Sequence, residues 1–145
     1  MRWPALSSAL LILTAAPAVS VRAETIPGPV PASVERVVDG DTIAVSARIW
    51  LGQDVHVLVR VRGIDTPERR GRCADEVRRA RLAADRAATE LADGAVVLSR
   101  IEGDKYGGRV LADVTLTDGC DLASVMIESG AARRYDGAGR GGWCG

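Results

Sequence analysis

The chain has one histidine (His56), no phenylalanine and one lysine (Lys105) in 145 residues. A single imidazole excludes a His-clustered zinc centre and leaves a Ser-His-Asp hydrolase without support. No Cys-x-x-Cys pair, P-loop string or Gly-x-Ser-x-Gly elbow occurs. The formal net charge is zero, so any hold on nucleic acid must come from local patches rather than a basic surface. Aromatic residues make up 3% of the chain. Past Trp3 they are Trp50, Tyr106, Tyr135 and Trp143, so the core must be aliphatic. Apolar residues still reach 47%. That supply suits one domain, which at this length buries roughly two-thirds of its unfolded surface.

The first 23 residues read as a secretory signal peptide. Arg2 precedes an apolar stretch centred on Ala9–Leu13, and Val21-Arg22-Ala23 puts small residues at the two cleavage-determining positions. Ser, Thr and Pro break the run before it reaches membrane-spanning length. No cysteine near the cut offers a lipid anchor. The expectation is a secreted or periplasmic protein starting at Glu24, free of the membrane and monomeric. Losing Arg2 and Arg22 from the 19 basic residues leaves 17 against 19 acidic ones.

Residues 24–33, with Pro27, Pro29 and Pro31, read as an extended leader, and residues 34–145 as the domain with a Gly-rich tail from 136. A strand is expected from about Val34 to a tight Asp39-Gly40 turn. Period-2 alternation then runs over Thr42–Trp50 and, after Gly52-Gln53, over Val55–Arg62. A helix over 73–92 follows, with Ala74, Val77, Ala80, Ala84, Ala88 and Leu91 at helical spacing and Gly94 as its stop. Two strands (95–101 and 109–117), the turn Asp118-Gly119 and a short helix from Asp121 to Gly130 complete the order. Three strands, a helix, two strands and a helix suit an α+β, mainly β fold: a five-stranded Greek-key barrel of the OB type.

The acidic residues fall at the ends of these strands. Asp39 and Asp41 flank Gly40 in the first turn, and Asp65-Thr66-Pro67-Glu68 ends the third strand. If the three strands are neighbours, turn and strand end meet. Carboxylates sharing one small volume repel unless a cation compensates them, and an all-oxygen donor set suits a hard ion such as Ca²⁺. Taken singly, each segment reads first as an ordinary turn or loop. Arg60 lies on the strand face opposite the valine row, five residues before Asp65, and Arg109 opens the fifth strand. Two guanidinium groups and a cation aimed at one point are what a pentacoordinate phosphorus centre needs. A nearby glutamate can take a proton from water.

Three segments in order, Val38–Thr42, Arg60–Glu68 and Asp104–Ala112, resemble the staphylococcal-nuclease (thermonuclease) family, and the likeness continues through Asp121-Leu122-Ala123 and Glu128–Ala132. It spans about residues 33–136. The resemblance implies a Ca²⁺-dependent nuclease that hydrolyses DNA and RNA phosphodiesters and leaves 3′-phosphate ends. Carried over by position, Asp41 and Asp65 bind calcium through carboxylates and Thr66 through its backbone oxygen. Glu68 is then the general base or orients the water, while Arg60 and Arg109 hold the phosphate. Lys105, Tyr106 and Tyr135 are the candidates for substrate contact. Substitution of Glu68, Arg60 or Arg109 is expected to cripple cleavage while the fold survives.

The chain departs from the family pattern in places. Two glycines rather than one separate Tyr106 from Arg109. The family's third, C-terminal helix has no counterpart before Gly145, and Asp136 stands where the family can carry a base-stacking tyrosine, with Tyr135 beside it.

Seven arginines between Arg69 and Arg86 form either a strip that follows a phosphate backbone or a solvated helix face. His56 reads as an ordinary surface residue. Gly137–Gly142 matches a dinucleotide-binding string but lacks the flanking strand and helix, and reads as a flexible tail. Three cysteines in an exported chain leave one odd. Cys73 with Cys144 is the preferred pair, since it ties down the tail; Cys73 with Cys120 is the alternative. The main rival to a nuclease is an OB-fold module that binds oligonucleotide or another polymer without cutting it; a metal-stabilised domain with a protein partner is a third reading.

Overall fold

The computed structural model describes residues 24–145, so the expected signal segment lies outside the described residues. The element order is β1 (Thr25–Ile26), β2 (Val30–Asp39), β3 (Thr42–Trp50), β4 (Gln53–Val61), β5 (Ile64–Asp65), α1 (Ala74–Glu90), β6 (Ala95–Gly103), β7 (Arg109–Thr115), α2 (Leu122–Glu128) and β8 (Arg133–Arg134). Strands β2, β3 and β4 are a meander, as the alternation predicts. β4 then pairs in parallel with β7, and β6 pairs with both β7 and β2. Those contacts close a ring of five strands, the expected OB-type barrel.

The structure departs from the sequence reading in several places. β2 starts at Val30 rather than Val34, because Val30–Ser33 pair with Ala95–Leu98. Thr25 and Ile26 pair with Glu102 and Ile101, so residues of the extended leader add strand β1 to the barrel's side. The short antiparallel pair of β5 with β8 was not expected; it brings residues 133–134 back beside Asp65.

The core is aliphatic. Ile43, Val45, Val59, Val61, Leu98 and Val114 from the barrel meet Ile64, Leu122 and Met126, all fully buried. The inward row fails at the β3–β4 tip, where Ile49, Trp50, Leu51 and Val55 are exposed because the hairpin runs past the barrel rim. Helix α1 packs through Ala80, Ala83, Ala84 and Ala87, a face rotated from the expected one: Ala74 and Ala88 point to solvent. Small side chains let it sit close to the β2–β3 turn. A Cβ on Gly40 would lie 2.8 Å from that of Ala83 and 3.0 Å from Thr66 Cγ2. Glycine is therefore required there for the close approach of helix and turn.

Both helices are capped at their N-termini. Asp121 accepts the Ser124 N–H at 3.0 Å, as expected for α2, and in α1 Cys73 Sγ accepts the Glu76 N–H at 3.4 Å. A disulfide joins Cys73 to Cys144, the preferred pairing, and Cys120 is free and exposed. No helix among the described residues is long and apolar enough to cross a membrane.

Candidate active site

The β2–β3 turn and the end of β4 do meet. Val61 donates its backbone N–H to Asp41 O at 2.8 Å, and Thr66 donates its backbone N–H to Asp41 Oδ2 at 3.2 Å. Arg60 Nη2 lies 3.1 Å from that same carboxylate oxygen, and Arg60 Nη1 donates to Val61 O at 3.1 Å. Asp41, Arg60, Asp65 and Thr66 are all buried. Burial pushes the Asp41 carboxyl above the usual carboxylate range, the Arg60 guanidinium pulls against it, and Asp39 adds to the rise.

A cleft of about 920 Å³ opens over this cluster. Asp41, Arg60, Thr66, Glu68 and Arg109 line it, joined at the rim by Lys105, Tyr106 and Tyr135. Arg109 enters from β7, placed by the parallel pairing of Leu58 with Arg109. Its Nε lies 2.5 Å from Asp104 Oδ2. The Tyr106 ring, exposed, stacks over that guanidinium at 4.9 Å and over Lys105 Nζ at 5.2 Å. The doubled glycine is absorbed in the β6–β7 connection, where Gly108 takes φ +77. Tyr135 is held by its N–H to Gly63 O at 2.9 Å.

Asp65 stands apart from the others in one respect: it is buried beneath the cleft rather than on its wall. Trp143 Nε1 donates to its Oδ2 at 3.2 Å. Arg140 Nε is 2.9 Å from its Oδ1, yet no donor is aligned to hydrogen-bond that oxygen. A buried carboxylate oxygen without an aligned donor is unusual and calls for a reason. The donor set of two carboxylates beside Thr66 contains oxygen only, and such a set fits a hard divalent cation.

Several contributors escaped the sequence reading. Arg140, in the Gly-rich string read as a tail, contacts both Glu68 and Asp65. Asp104 holds Arg109. Buried Glu76 accepts the backbone N–H groups of Arg72 at 2.8 Å and Glu68 at 3.4 Å, and so fixes the loop that carries Glu68. A usable signal for Arg140 existed in the cysteines: pairing Cys144 with Cys73, which follows the Glu68 loop, already returns the tail to this end of the barrel. Cys73, Glu76 and Cys144 bring ligand atoms within 4.8 Å of one another, but both sulfurs are taken up in the disulfide.

The arginine strip divides. Arg78 and Arg79 pair with Asp75 and Arg86 with Glu90, as solvated helix-face pairs, whereas Arg69 and Arg70 line the cleft. His56 is exposed and pairs with Glu35.

A five-stranded OB-type barrel thus carries a cleft in which carboxylates stand beside arginines, a lining that complements phosphate groups. Residues 58–140 match the family described as staphylococcal nuclease homologue, and the chain belongs to that family. The family is typically one of nuclease hydrolases and is generally metal-dependent. No curated protein matches the chain significantly.

Proposed function

We propose that this protein is a Ca²⁺-dependent nuclease that hydrolyses flexible or single-stranded DNA and RNA to 3′-phosphate ends, working as an exported monomer. The observation that carries the reading is the convergence of Arg60, Arg109 and Glu68 on the cleft that also holds Asp41 and Thr66. Asp41, Asp65 and the backbone oxygen of Thr66 would hold the ion. Bound there, it supplies positive charge to a phosphate oxygen.

The remaining chemistry belongs to side chains. Glu68 takes a proton from the attacking water. Arg60 and Arg109 donate to the equatorial oxygens as phosphorus becomes five-coordinate. Water enters in line, the P–O5′ bond breaks, the phosphate stays on the 3′ side and the departing 5′ oxygen collects a proton. Asp41 and Asp104 hold the two guanidinium groups before substrate arrives, which lowers the ordering cost on binding. Tyr106, Tyr135 and Lys105 at the rim suit base stacking and backbone contact.

The test is cleavage of denatured DNA with Ca²⁺, with chelator, and by Glu68→Gln. Cutting in Ca²⁺, none in chelator, and a loss of about 10²–10⁴-fold in the variant are expected. Tight oligonucleotide binding without cutting in Ca²⁺ would instead make the barrel a binding module.

A further inference from the structure

We infer that the C-terminal segment is a disulfide-anchored latch on the cation site, with Arg140 as its bolt. The inference rests on the reading of Asp65 as a cation ligand. The Arg140 guanidinium spans the two carboxylates that this reading needs free: Nε is 2.9 Å from Asp65 Oδ1 and Nη1 contacts Glu68 Oε1. A positive charge on Asp65 opposes a divalent ion there, and the same charge on Glu68 withholds a proton acceptor.

The rest of the segment is built to keep that arginine in place without locking it. Cys144 is bonded to Cys73 just before α1. Trp143 donates to Asp65 Oδ2 at 3.2 Å, and the Arg133 guanidinium stacks on its ring at 3.5 Å. Arg133 also donates to Gly141 O and Gly142 O at 3.0 and 3.1 Å. Residues 141–144 are thus held at several points. Arg140 sits between Gly139 and Gly141, where the backbone can swing. Its side chain is 43% exposed, against 9% for Arg60. A half-solvated contact of this kind is weak enough to open. The match to the family ends at residue 140, so the anchors Trp143 and Cys144 lie beyond the matched segment.

The consequence is competition. When the site is competent for only a fraction of the time, the apparent Kd rises by the inverse of that fraction. A latch closed about nine-tenths of the time weakens Ca²⁺ binding about tenfold.

Calorimetric titration of the purified, oxidised protein with CaCl₂, without nucleic acid, tests this directly. Arg140→Gln is expected to bind Ca²⁺ about tenfold more tightly than the parent. The double variant Cys73→Ser/Cys144→Ser, which releases the anchor, is expected to shift the same way. Equal affinity in parent and Arg140→Gln would overturn the latch and leave Asp65 as a ligand, and so would weaker binding in Arg140→Gln. No binding by either protein would overturn the cation site itself, and the latch with it. Unchanged affinity with a loss of cleavage at saturating Ca²⁺ would assign Arg140 to substrate phosphate instead.

Discussion

Thr66 and Asp41, 25 residues apart, are joined by a 3.2 Å hydrogen bond from the Thr66 backbone N–H to the Asp41 carboxylate. The bond fixes the strand end that carries Asp65 and Glu68 against the β2–β3 turn. Asp41 is buried at this junction, and that burial raises its pKa, while Arg60 and the Thr66 hydrogen bond pull it the other way.

That shift has a definite sign. In the ion-free protein the raised pKa means that folding favours protonated Asp41. Its contribution to stability is complete below the unfolded value of about 3.9 and is lost as pH rises through the higher folded value. A bound cation favours the ionised form and reverses the preference. The increase in Tm produced by CaCl₂ should therefore be small near pH 4 and grow towards pH 7. Differential scanning calorimetry across that range measures it. An increment that does not vary with pH would remove Asp41 from the ligand set.

Arg60 should behave differently from the other two proposed catalytic residues. It is buried and 3.1 Å from buried Asp41, whereas Glu68 is exposed and Arg109 half-buried. Arg60→Ala leaves a desolvated carboxylate without its partner, a change that costs about 3 kcal/mol. Arg60→Ala is therefore expected to lower stability where the other two substitutions do not. Urea unfolding should show the loss in Arg60→Ala and near-parental stability in Glu68→Gln; equal midpoints would mean that the pair contributes nothing.

Asp104 is predicted to act through Arg109. Asp104→Asn keeps the side chain's shape and weakens the contact that aims the guanidinium. A fall in kcat of about tenfold is expected with little change in Tm, since losing a charge-assisted donor outright costs 10²–10³ and Arg109 itself remains. Combining Asp104→Asn with Arg109→Ala should add nothing to Arg109→Ala alone. Additive losses would give Asp104 a separate role.

Much of the barrel was legible because local signals agreed with it: period-2 alternation in β3 and β4, the Asp39-Gly40 turn, and the alanine spacing and cap signals of the helices. What stayed hidden depends on contacts distant in sequence. β1 has only two residues, and nothing local announces its pairing with Ile101 and Glu102. Ile49 follows the strand's inward alternation, yet the hairpin carries it past the rim into solvent. At the site, Asp41, Arg60, Asp65, Thr66, Glu68 and Arg109 stood out as polar residues at strand ends, where core burial does not explain them. Arg140 stood among glycines with no periodic context. The β5–β8 pair and a disulfide between residues 71 apart in sequence bring it to Asp65.

That disulfide supplies the last prediction. In the chain-entropy account, closing a loop of 71 residues stabilises the fold by about 4 kcal/mol. Few other described elements hold the chain end: after β8 the segment 135–145 has no regular structure and is fixed through Arg133, Asp65 and Glu68. The cost of removing the bridge should therefore fall in two parts. Ser replacements at both Cys73 and Cys144 should lower the urea midpoint by an amount close to the entropic figure, and hydrogen exchange should show the tail unprotected while β3, β4 and α1 keep their order of protection. A loss well under 1 kcal/mol would mean that the reduced tail stays docked through Arg140 and Trp143 alone. Replacing Cys120, which is exposed and bonded to no other cysteine, should leave both readings unchanged.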